Sequence, residues 1–402
     1  MAKRAVILGG ARTPMAEWVG GKRGDGEPGG ALAGVSALDL GATAARGALA
    51  KSKVPAEKIS HVVMGNALQT SGDAIYGARH VALKAGVPIR VPALTVNRLC
   101  GSGIQAVINA AHIIGEGDEY TLAGGMENMS QAPHVIRGAR AGFKLGQGQL
   151  EDSLLVALKD SYCGLLMAQT AEKLAKRMGI AREAQDQYAL RSTHLGEKAA
   201  SSGVFAEEIV PVEIKRGPKT VAVEKDDHYF VNATLEGMAK LKPAFGEDGT
   251  VTAGNASGMV DGAACLVVAD ADAAKRDGYT PLAEIVAWHV VGVEPSEMGI
   301  GPAPAIRGVL EKAGLALSKV DLFEINEAFA AQYLAVEKDL GLERDKVNVN
   351  GGAIALGHPL GATGTRLLLT LAHELARRKK TYGIASACIG GGQGIAMLIQ
   401  RV

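Results

Sequence analysis

The sequence has no excess of either charge and no clustered cysteines, and these two absences exclude several classes of function. Its 402 residues carry 43 Lys and Arg against 42 Asp and Glu, a formal net charge of +1. This balance implies no bulk attraction to nucleic acid or to a membrane surface. The cysteines are widely spaced and include no Cys-x-x-Cys pair: Cys100, Cys163, Cys265 and Cys388. We therefore expect no disulfide framework and no structural zinc site.

We expect the first residues of the sequence to form part of the fold and not a secretory signal peptide. The apolar run over residues 5–8 is too short for a secretory signal peptide and continues directly into a predicted strand. We expect a cytoplasmic protein without membrane insertion. With 47% hydrophobic residues the chain is long enough to bury a large core in two or three domains. Its 53 glycines cluster at turns between periodic segments.

The most informative residue is Cys100, which lies where a β-favouring run meets a glycine-rich turn. Residues 96–103 read VNRLCGSG, and a helical pattern over residues 104–110 follows. A helix N-terminus carries partial positive charge and unpaired backbone N–H groups. It is expected to lower the pKa of a thiol and to hold a developing oxyanion. A lone cysteine at such a turn is more often a buried structural residue.

Two C-terminal segments supply the partners that a nucleophilic cysteine needs. His358 lies among glycines just before a helical stretch predicted over residues 365–375, where it can act as a base and then as a donor. Cys388 ends a predicted strand and precedes three glycines. Singly, His358 would be a helix-capping histidine and Cys388 a small core residue. Three small-residue turns, each with one reactive group, are hard to explain by packing alone.

The same order of elements occurs twice along the chain. Strand, helix and strand are predicted over residues 4–8, 37–49 and 61–66, and again over 282–291, 303–313 and 320–326. In each case a helix, a reactive turn, a helix and a strand follow. Asn66 and Asn326 lie 260 residues apart, and Cys100 and His358 lie 258 apart. This repetition predicts two pseudo-symmetric α/β halves with the active site between them.

The predicted domain organisation has three parts. The N-terminal half comprises residues 1–125 and 251–280, and the C-terminal half comprises residues 281–402. Residues 126–250 differ in sequence pattern from the two halves, because helical patterns alternate there with charged and glycine-containing loops. Because long insertions in compact domains are usually functional, we expect an inserted loop domain that covers the site.

Six motifs, spread over the whole chain, resemble those of the thiolase family. They are residues 97–103, 124–130, 252–257, 326–330, 351–359 and 388–392. One glycine-rich motif would be weak evidence, whereas six in the family's order are strong. The resemblance implies acyl transfer between an enzyme cysteine and coenzyme A, coupled to making or breaking a carbon–carbon bond. It also implies the duplicated five-layered α/β/α/β/α thiolase fold, assembled as a homodimer or homotetramer.

The resemblance further assigns roles at the catalytic centre. Cys100 would hold the acyl group as a thioester, and His358 would take the proton of its thiol, a task suited to a pKa near the working pH. Cys388 would move the proton at the α-carbon of acetyl-CoA. Asn326 would hold a water that, with Nε2 of His358, binds the enolate oxygen. The backbone N–H groups of Cys100 and Gly390 would form the second oxyanion hole. No metal and no permanently bound cofactor is implied; CoA and acyl-CoA are the substrates.

Four further residues are candidate coenzyme A or substrate contacts. Ser257 matches a family position that hydrogen-bonds coenzyme A, and Met167 matches a substrate-lining position. A turn serine and a core methionine remain alternative readings. Thr234 lies in residues 234–236, which keep the character of a Thr-Thr-x-Glu segment of the family. Ahead of that segment many relatives carry an arginine that contacts the adenine end of coenzyme A, and Phe230 takes its place here. Phe230 can stack on adenine or pack against the loop domain. Any charged contact would come from basic residues elsewhere in the loop domain: Lys215, Arg216 and Lys219.

The subclass depends on Leu166, which replaces the histidine that short-chain acetoacetyl-CoA thiolases usually carry there. Residues 150–158 and 166–172 are similar to mitochondrial-type 3-ketoacyl-CoA thiolases of fatty acid β-oxidation. This favours an apolar acyl pocket and cleavage of 3-ketoacyl-CoA. A dedicated biosynthetic acetoacetyl-CoA thiolase stays open. A decarboxylating ketosynthase is disfavoured because such enzymes lack a second cysteine like Cys388.

Overall fold

The computed structural model describes residues 3–246 and 248–402. Its strands are β1 (Ala5–Arg12), β2 (Ala16–Glu17), β3 (His61–Gly65), β4 (Ala93–Val96), β5 (Tyr120–Glu127), β6 (His134–Ile136), β7 (Leu150–Asp152), β8 (Val212–Arg216), β9 (Lys219–Val223), β10 (Val260–Asp270), β11 (Ala283–Gly292), β12 (Leu322–Ile325), β13 (Tyr382–Ile389) and β14 (Gln393–Arg401). Its helices are α1 (Ala37–Ser52), α2 (Gly77–Lys84), α3 (Ser102–Glu116), α4 (Ser153–Ala157), α5 (Met167–Met178), α6 (Arg182–Ser201), α7 (Leu235–Ala239), α8 (Ala271–Arg276), α9 (Pro302–Ala313), α10 (Ala330–Leu340), α11 (Ala353–Leu356) and α12 (Leu360–Arg377).

The main sheet contains the same arrangement of strands twice. Its order is β12-β13-β14-β11-β1-β10-β5-β3-β4, with β2 paired to β10. In the first set β3 runs parallel to β5, and β10 and β1 continue antiparallel. In the second set β12 runs parallel to β13, and β14 and β11 continue antiparallel. The repetition of elements expected from the sequence is therefore present in the topology.

The two sets of strands join directly in one hydrogen-bonded path. β1 pairs antiparallel with β11, where Val6 faces Glu284 and Ile7 faces Ala283. The alternation of elements predicted two α/β halves, and the structure adds that their strands join in one sheet. The seam arises because β1 and β11 are the matching edge strands of the two halves, and exposed edges readily pair with each other.

Three apolar cores fill the four interfaces between five layers. The first lies between α1, α2 and the first set of strands, and includes Leu38 and Val267. The second surrounds α3 and α12 and takes residues from both sets of strands, such as Val268 and Ile395. The third lies between the second set and α9 and α10, and includes Ile306. This sequence of layers is α/β/α/β/α.

The segment between β5 and β10 packs against the rest through short helices and buried ion pairs. Ala168, Ala171 and Ala175 of α5 pack against Ala331 of α10. Fully buried Arg12 of β1 donates to Glu208 at 2.8 Å and to Asp226 at 2.7 Å. The boundaries at residues 126, 251 and 281 stay predictions. No helix in the described ranges has the length and apolar character needed to span a membrane.

Candidate active site

A strained turn places Cys100 in front of α3. Leu99 has a φ of +47°, which a leucine adopts only when its surroundings hold it there. Asn97 Oδ1 accepts the N–H of Leu99 at 2.9 Å, and Ser102 Oγ donates to the Leu99 carbonyl at 2.7 Å. These side-chain hydrogen bonds stabilise the turn over Leu99–Gly101 that holds Cys100.

Close backbone packing brings the Cys100 and His358 turns together. A Cβ on Gly103 of α3 would lie 2.4 Å from the backbone N of Thr365, and one on Gly364 of α12 would lie 2.4 Å from the N of Ile104. The first turns of the two central helices therefore meet without intervening side chains. Cys100 accordingly packs in one apolar cluster with Leu360, two residues after His358.

Hydrogen bonds determine which nitrogen of His358 carries its proton. Thr363 Oγ1 donates to the Pro359 carbonyl at 3.0 Å, so its lone pair accepts Nδ1–H of His358 at 2.6 Å. The lone pair of His358 Nε2 then faces Asn326 Nδ2 at 3.3 Å. His358 is therefore held as the Nδ1–H tautomer, with Nε2 free to accept a proton.

Cys388 and Gly390 approach Cys100 from the end of β13. The backbone N–H of Gly390 favours the ionised form of Cys100, and the charge of Cys100 contributes to raising the pKa of Cys388, so the three groups lie close together. A Cβ on Gly390 would lie 3.2 Å from the sulfur of Met167. Met167 also packs against fully buried Cys388. The structure thus brings both cysteines, the Gly390 N–H and Met167 to one place.

Burial shifts the pKa values of the reactive groups in a way that corrects two expectations. It raises the pKa of the Cys100 thiol to about 11, although the Gly390 N–H opposes this shift. The expected lowering by the helix N-terminus is wrong, because Cys100 is partly buried in the turn before α3, where desolvation of its thiol is the larger effect. Burial, helped by the charge of Arg366, lowers the pKa of His358 to about 3 rather than holding it near neutrality. The resting site therefore contains a neutral thiol and a neutral imidazole.

Ser257 lies on a segment that connects Asn326 and His358. Its N–H donates to the Ala328 carbonyl at 3.0 Å, two residues after Asn326. The carbonyl of the next residue, Gly258, accepts the N–H of His358 at 2.9 Å. Ser257 is only partly buried. The structure therefore places Ser257 beside the catalytic candidates with a surface open to a ligand.

Phe230 and Thr234 lie further out, in the segment between β9 and α7. Phe230 is 38% exposed, and its ring centre lies 6.1 Å from that of buried His228. Thr234 is the N-cap of α7, where its side chain accepts the N–H of Gly237 at 3.1 Å. These contacts are local and do not by themselves join either residue to Cys100.

Three buried polar residues near the site received no role in the sequence analysis. Thr363 sets the His358 tautomer, as described above. Glu327 accepts Tyr188 OH at 2.6 Å and the N–H of Ile354 at 3.1 Å, and thereby ties the Asn326 segment to α11. Glu127 accepts four N–H groups at the end of β5. Both glutamates stand inside motifs of the resemblance, but no pattern in one sequence reveals their burial.

Family models cover almost the whole chain. "Thiolase, N-terminal domain" matches residues 5–272, and "Thiolase, C-terminal domain" matches residues 279–401. The chain belongs to the thiolase family. Human mitochondrial 3-ketoacyl-CoA thiolase is 52% identical over 377 residues, which is 93% of this chain and 95% of that protein. An acetyl-CoA acetyltransferase of Cupriavidus necator is 49% identical over 399 residues, covering 98% and 99% of the two chains.

A solved structure shows the same fold. The crystal structure of human mitochondrial 3-ketoacyl-CoA thiolase in complex with CoA matches with a TM-score of 0.94 and 50% identity, and covers 100% of this thiolase and 98% of that chain. The expected family and the five-layered thiolase fold are confirmed. So is the expected function class, an acyltransferase that catalyses reversible thiolytic cleavage and condensation. The roles of individual site residues are proposals.

Proposed function

We propose that this thiolase cleaves 3-ketoacyl-CoA with CoA, reversibly, into acetyl-CoA and a shortened acyl-CoA, through a thioester on Cys100. One arrangement carries the proposal: a Cβ on Gly390 would lie 3.4 Å from Leu99, the neighbour of Cys100, and 3.2 Å from the sulfur of Met167, which packs against Cys388. This supports roles for Cys100 as the nucleophile, Gly390 as an oxyanion donor and Cys388 as the second acid/base. A decarboxylating ketosynthase does not require Cys388.

In the first half-reaction, His358 Nε2 takes the proton of the Cys100 thiol and the thiolate attacks the 3-keto carbon. The N–H groups of Cys100 and Gly390 stabilise the oxyanion. The bond between C2 and C3 then breaks, leaving the acyl group on Cys100 and an enolate that takes a proton from Cys388. Asn326, through a water, and protonated His358 stabilise the enolate oxygen until acetyl-CoA leaves.

In the second half-reaction, the thiol of CoA attacks the thioester on Cys100. Acyl-CoA leaves, the sulfur of Cys100 becomes the leaving group, and His358 returns a proton to it. The CoA proton restores the thiol of Cys388. A buried, neutral resting site suits this cycle, because each charged species forms only while substrate is bound.

Apolar surroundings of the two cysteines support substrates longer than acetoacetyl-CoA. Cys100 packs with Met129, Leu154 and Leu360. Leu166, the N-cap residue of α5, adds no polar side chain ahead of Met167. Many relatives in the short-chain class carry histidine there. We therefore propose a degradative role of the kind found in β-oxidation, with the dedicated biosynthetic acetoacetyl-CoA thiolase as the alternative.

A thiolysis assay across 3-ketoacyl-CoA chain lengths tests this proposal. We expect kcat/KM to rise from four carbons to longer chains, and Leu166→His to shift the preference toward four carbons. Activity confined to acetoacetyl-CoA would support the biosynthetic alternative instead. Absence of thiolysis at every length, with the protein folded, would overturn the proposed reaction.

A continuous line of contacts supports a coenzyme A path from the site to the loop segment. Ser257 precedes Gly258, and a Cβ on Gly258 would lie 2.2 Å from the His228 ring, which neighbours Phe230. We propose that Ser257 and Met167 contact the pantetheine arm. Phe230 and the α7 end capped by Thr234 would then adjoin the adenine end.

The edge of the sheet supports assembly of the thiolase as a homodimer or homotetramer. β4 ends the sheet, and Leu94 on it is 41% exposed. Ile75 and Tyr76, just before α2, are 81% and 59% exposed. An apolar sheet edge of this kind is suited to pairing with a second copy. Cytoplasmic residence stays a prediction; the name of the human relative places that protein in mitochondria.

A further inference from the structure

Glu127 is a fully buried carboxylate whose two oxygens each accept two N–H groups. Oε1 accepts Asn66 Nδ2 at 2.8 Å and the N–H of Leu68 at 3.0 Å. Oε2 accepts the N–H of Ala67 at 3.0 Å and the N–H of Gly361 at 2.9 Å. All four partners are donors, so the site accepts only a group with no hydrogen of its own.

None of these partners is cationic, and within residues 3–246 and 248–402 no Lys or Arg forms an ion pair with Glu127. A buried charge without a cation is costly and is seldom found unless it is needed. Burial raises the pKa of Glu127 to about 7, and the charge of Asp261 adds to this effect. Four hydrogen bonds to neutral donors are what stabilise the ionised form.

One of the four donors belongs to the first turn of the helix that follows His358. Gly361 is three residues after His358, and the first N–H groups of α12 have no partner within the helix. A Cβ on Gly125 would lie 1.8 Å from the Gly361 carbonyl oxygen, so β5 and α12 are in direct backbone contact. Glu127 therefore hydrogen-bonds the start of α12 from the opposite half of the molecule.

The strand register places Glu127 at the pseudo-symmetric counterpart of Cys388. In the first half Gly65 faces Gly125, which puts Asn66 and Glu127 just beyond the pair. In the second half Ile325 faces Ser386, which puts Asn326 and Cys388 at the same places. Asn66 contacts Glu127 as part of a hydrogen-bonded clamp, whereas Asn326 and Cys388 belong to the proposed catalytic site.

We propose that Glu127 is a positioning residue whose carboxylate fixes the first turn of α12, and thereby holds His358 in the turn that meets the Cys100 turn. The inference rests on the proposed role of His358. Of the two copies of this pair after the strand ends, Asn326 and Cys388 would act in catalysis, and Asn66 and Glu127 would orient catalytic groups across the interface between the halves. A second glutamate, Glu327, accepts the N–H of Ile354 and so holds α11, which lies just before His358 in the chain.

Glu127→Gln is the decisive variant, because it keeps the size of the side chain and changes only its hydrogen-bonding character. Whichever way the amide is turned, its NH₂ faces at least one backbone N–H, either Leu68 or both Ala67 and Gly361. We expect kcat for thiolysis to fall by about 10- to 100-fold, as for loss of one to two buried hydrogen bonds at a positioned base. KM for CoA should change by less than about threefold, because the substitution leaves the contacts that bind CoA unchanged. Glu127→Asp, which retains an acceptor-only group, should keep more activity than the glutamine variant.

Glu208→Gln is the matched control, because it also alters a buried carboxylate but lies in the Arg12 ion-pair cluster. We expect it to lower stability and to leave kcat within about twofold of the original. The pH profile separates positioning from general damage. Protonation of Glu127 removes an acceptor as glutamine does, so kcat of the unmodified enzyme should fall as the pH drops through about 7, and the glutamine variant should lack this limb. The other titratable groups that interact with the charge of Glu127 are Asp261 and Cys100, and both proteins retain them.

Formation of the Cys100 thioester by the unmodified enzyme, measured in the same experiment, separates this inference from the proposed function. No thioester on Cys100 in that enzyme would overturn the proposed function. A thioester there, together with Glu127→Gln that has unchanged kcat and an unchanged pH profile, would overturn only the positioning role. An equal fall of kcat in Glu127→Gln and Glu208→Gln would also overturn it. If the glutamine variant does not fold, Glu127→Asp and the profile of the unmodified enzyme decide.

Discussion

Replacing Thr363 with valine tests whether the tautomer of His358 controls the chemistry. Valine has nearly the shape of threonine, so at buried position 363 the loss of the hydroxyl, and not a change of volume, should dominate the effect. The change removes the acceptor of the His358 Nδ1–H, at 2.6 Å, and the donor to the Pro359 carbonyl, at 3.0 Å. The buried Nδ1–H would be left without a partner.

The magnitude follows from the cost of that unpartnered group. A buried donor without an acceptor costs about 1–3 kcal/mol, which favours moving the proton to Nε2. Asn326 can accept it there by turning its amide, because its Oδ1 has no partner among the described residues. Nε2 would then no longer be a base. If this cost adds in full to the activation free energy, kcat falls by about 5- to 150-fold, because each 1.36 kcal/mol corresponds to a factor of ten in rate.

The assay combines single-turnover acylation of Cys100 with ¹⁵N NMR of the His358 ring. We expect Nδ1–H in the original protein, Nε2–H in Thr363→Val, and slow acylation only in the latter. Thr363→Ser keeps the hydroxyl and should stay within about threefold of the original rate. Normal acylation by a valine variant whose ring has changed tautomer would refute the reasoning, as would an unchanged tautomer.

Three further outcomes are expected. Cys388→Ala should still exchange an acyl group between Cys100 and CoA while losing carbon–carbon cleavage; equal loss of both reactions would contradict the separate roles. Phe230→Ala should raise KM for CoA with little change in kcat, because the adenine end is remote from the chemistry; an unchanged KM would exclude stacking. Urea unfolding at fixed protein concentration should show that the free energy of unfolding of His358→Gln rises relative to that of the original enzyme as the pH falls below 6.5. The folded-state pKa of His358 is lowered to about 3, so the unfolded chain binds the extra proton between these values. A constant difference in stability would contradict a buried neutral imidazole.

The reactive residues were predictable because each stands in a local pattern that one sequence displays. Cys100, His358 and Cys388 each occupy a glycine-rich turn at the end of a periodic segment. The repeat of elements was predictable for the same reason, since Asn66 and Asn326 end matching strands. Helix starts were less accurate: α12 begins at Leu360 rather than near residue 365, because Pro359 and the glycines of its first turn hide the helical pattern.

What the sequence could not show depends on tertiary burial. The pKa of Cys100 was expected to fall because a turn before a helix attracts negative charge, but desolvation of the sulfur is the larger effect. Glu127 reads as an ordinary polar residue after a strand, and only the fold places four donors around it. The seam between β1 and β11 likewise joins residues that are remote in the chain, such as Val6 and Glu284.

The most direct test of the account is to locate the acyl group after incubation with a 3-ketoacyl-CoA in the absence of CoA. Mass spectrometry of the digested protein should show the mass of one shortened acyl group on the peptide that contains Cys100. Addition of CoA should remove it, and Cys100→Ser should neither form it nor turn over at the normal rate. An acyl group on Cys388 or another residue, or normal turnover by Cys100→Ser, would contradict the assignment of Cys100 as the nucleophile.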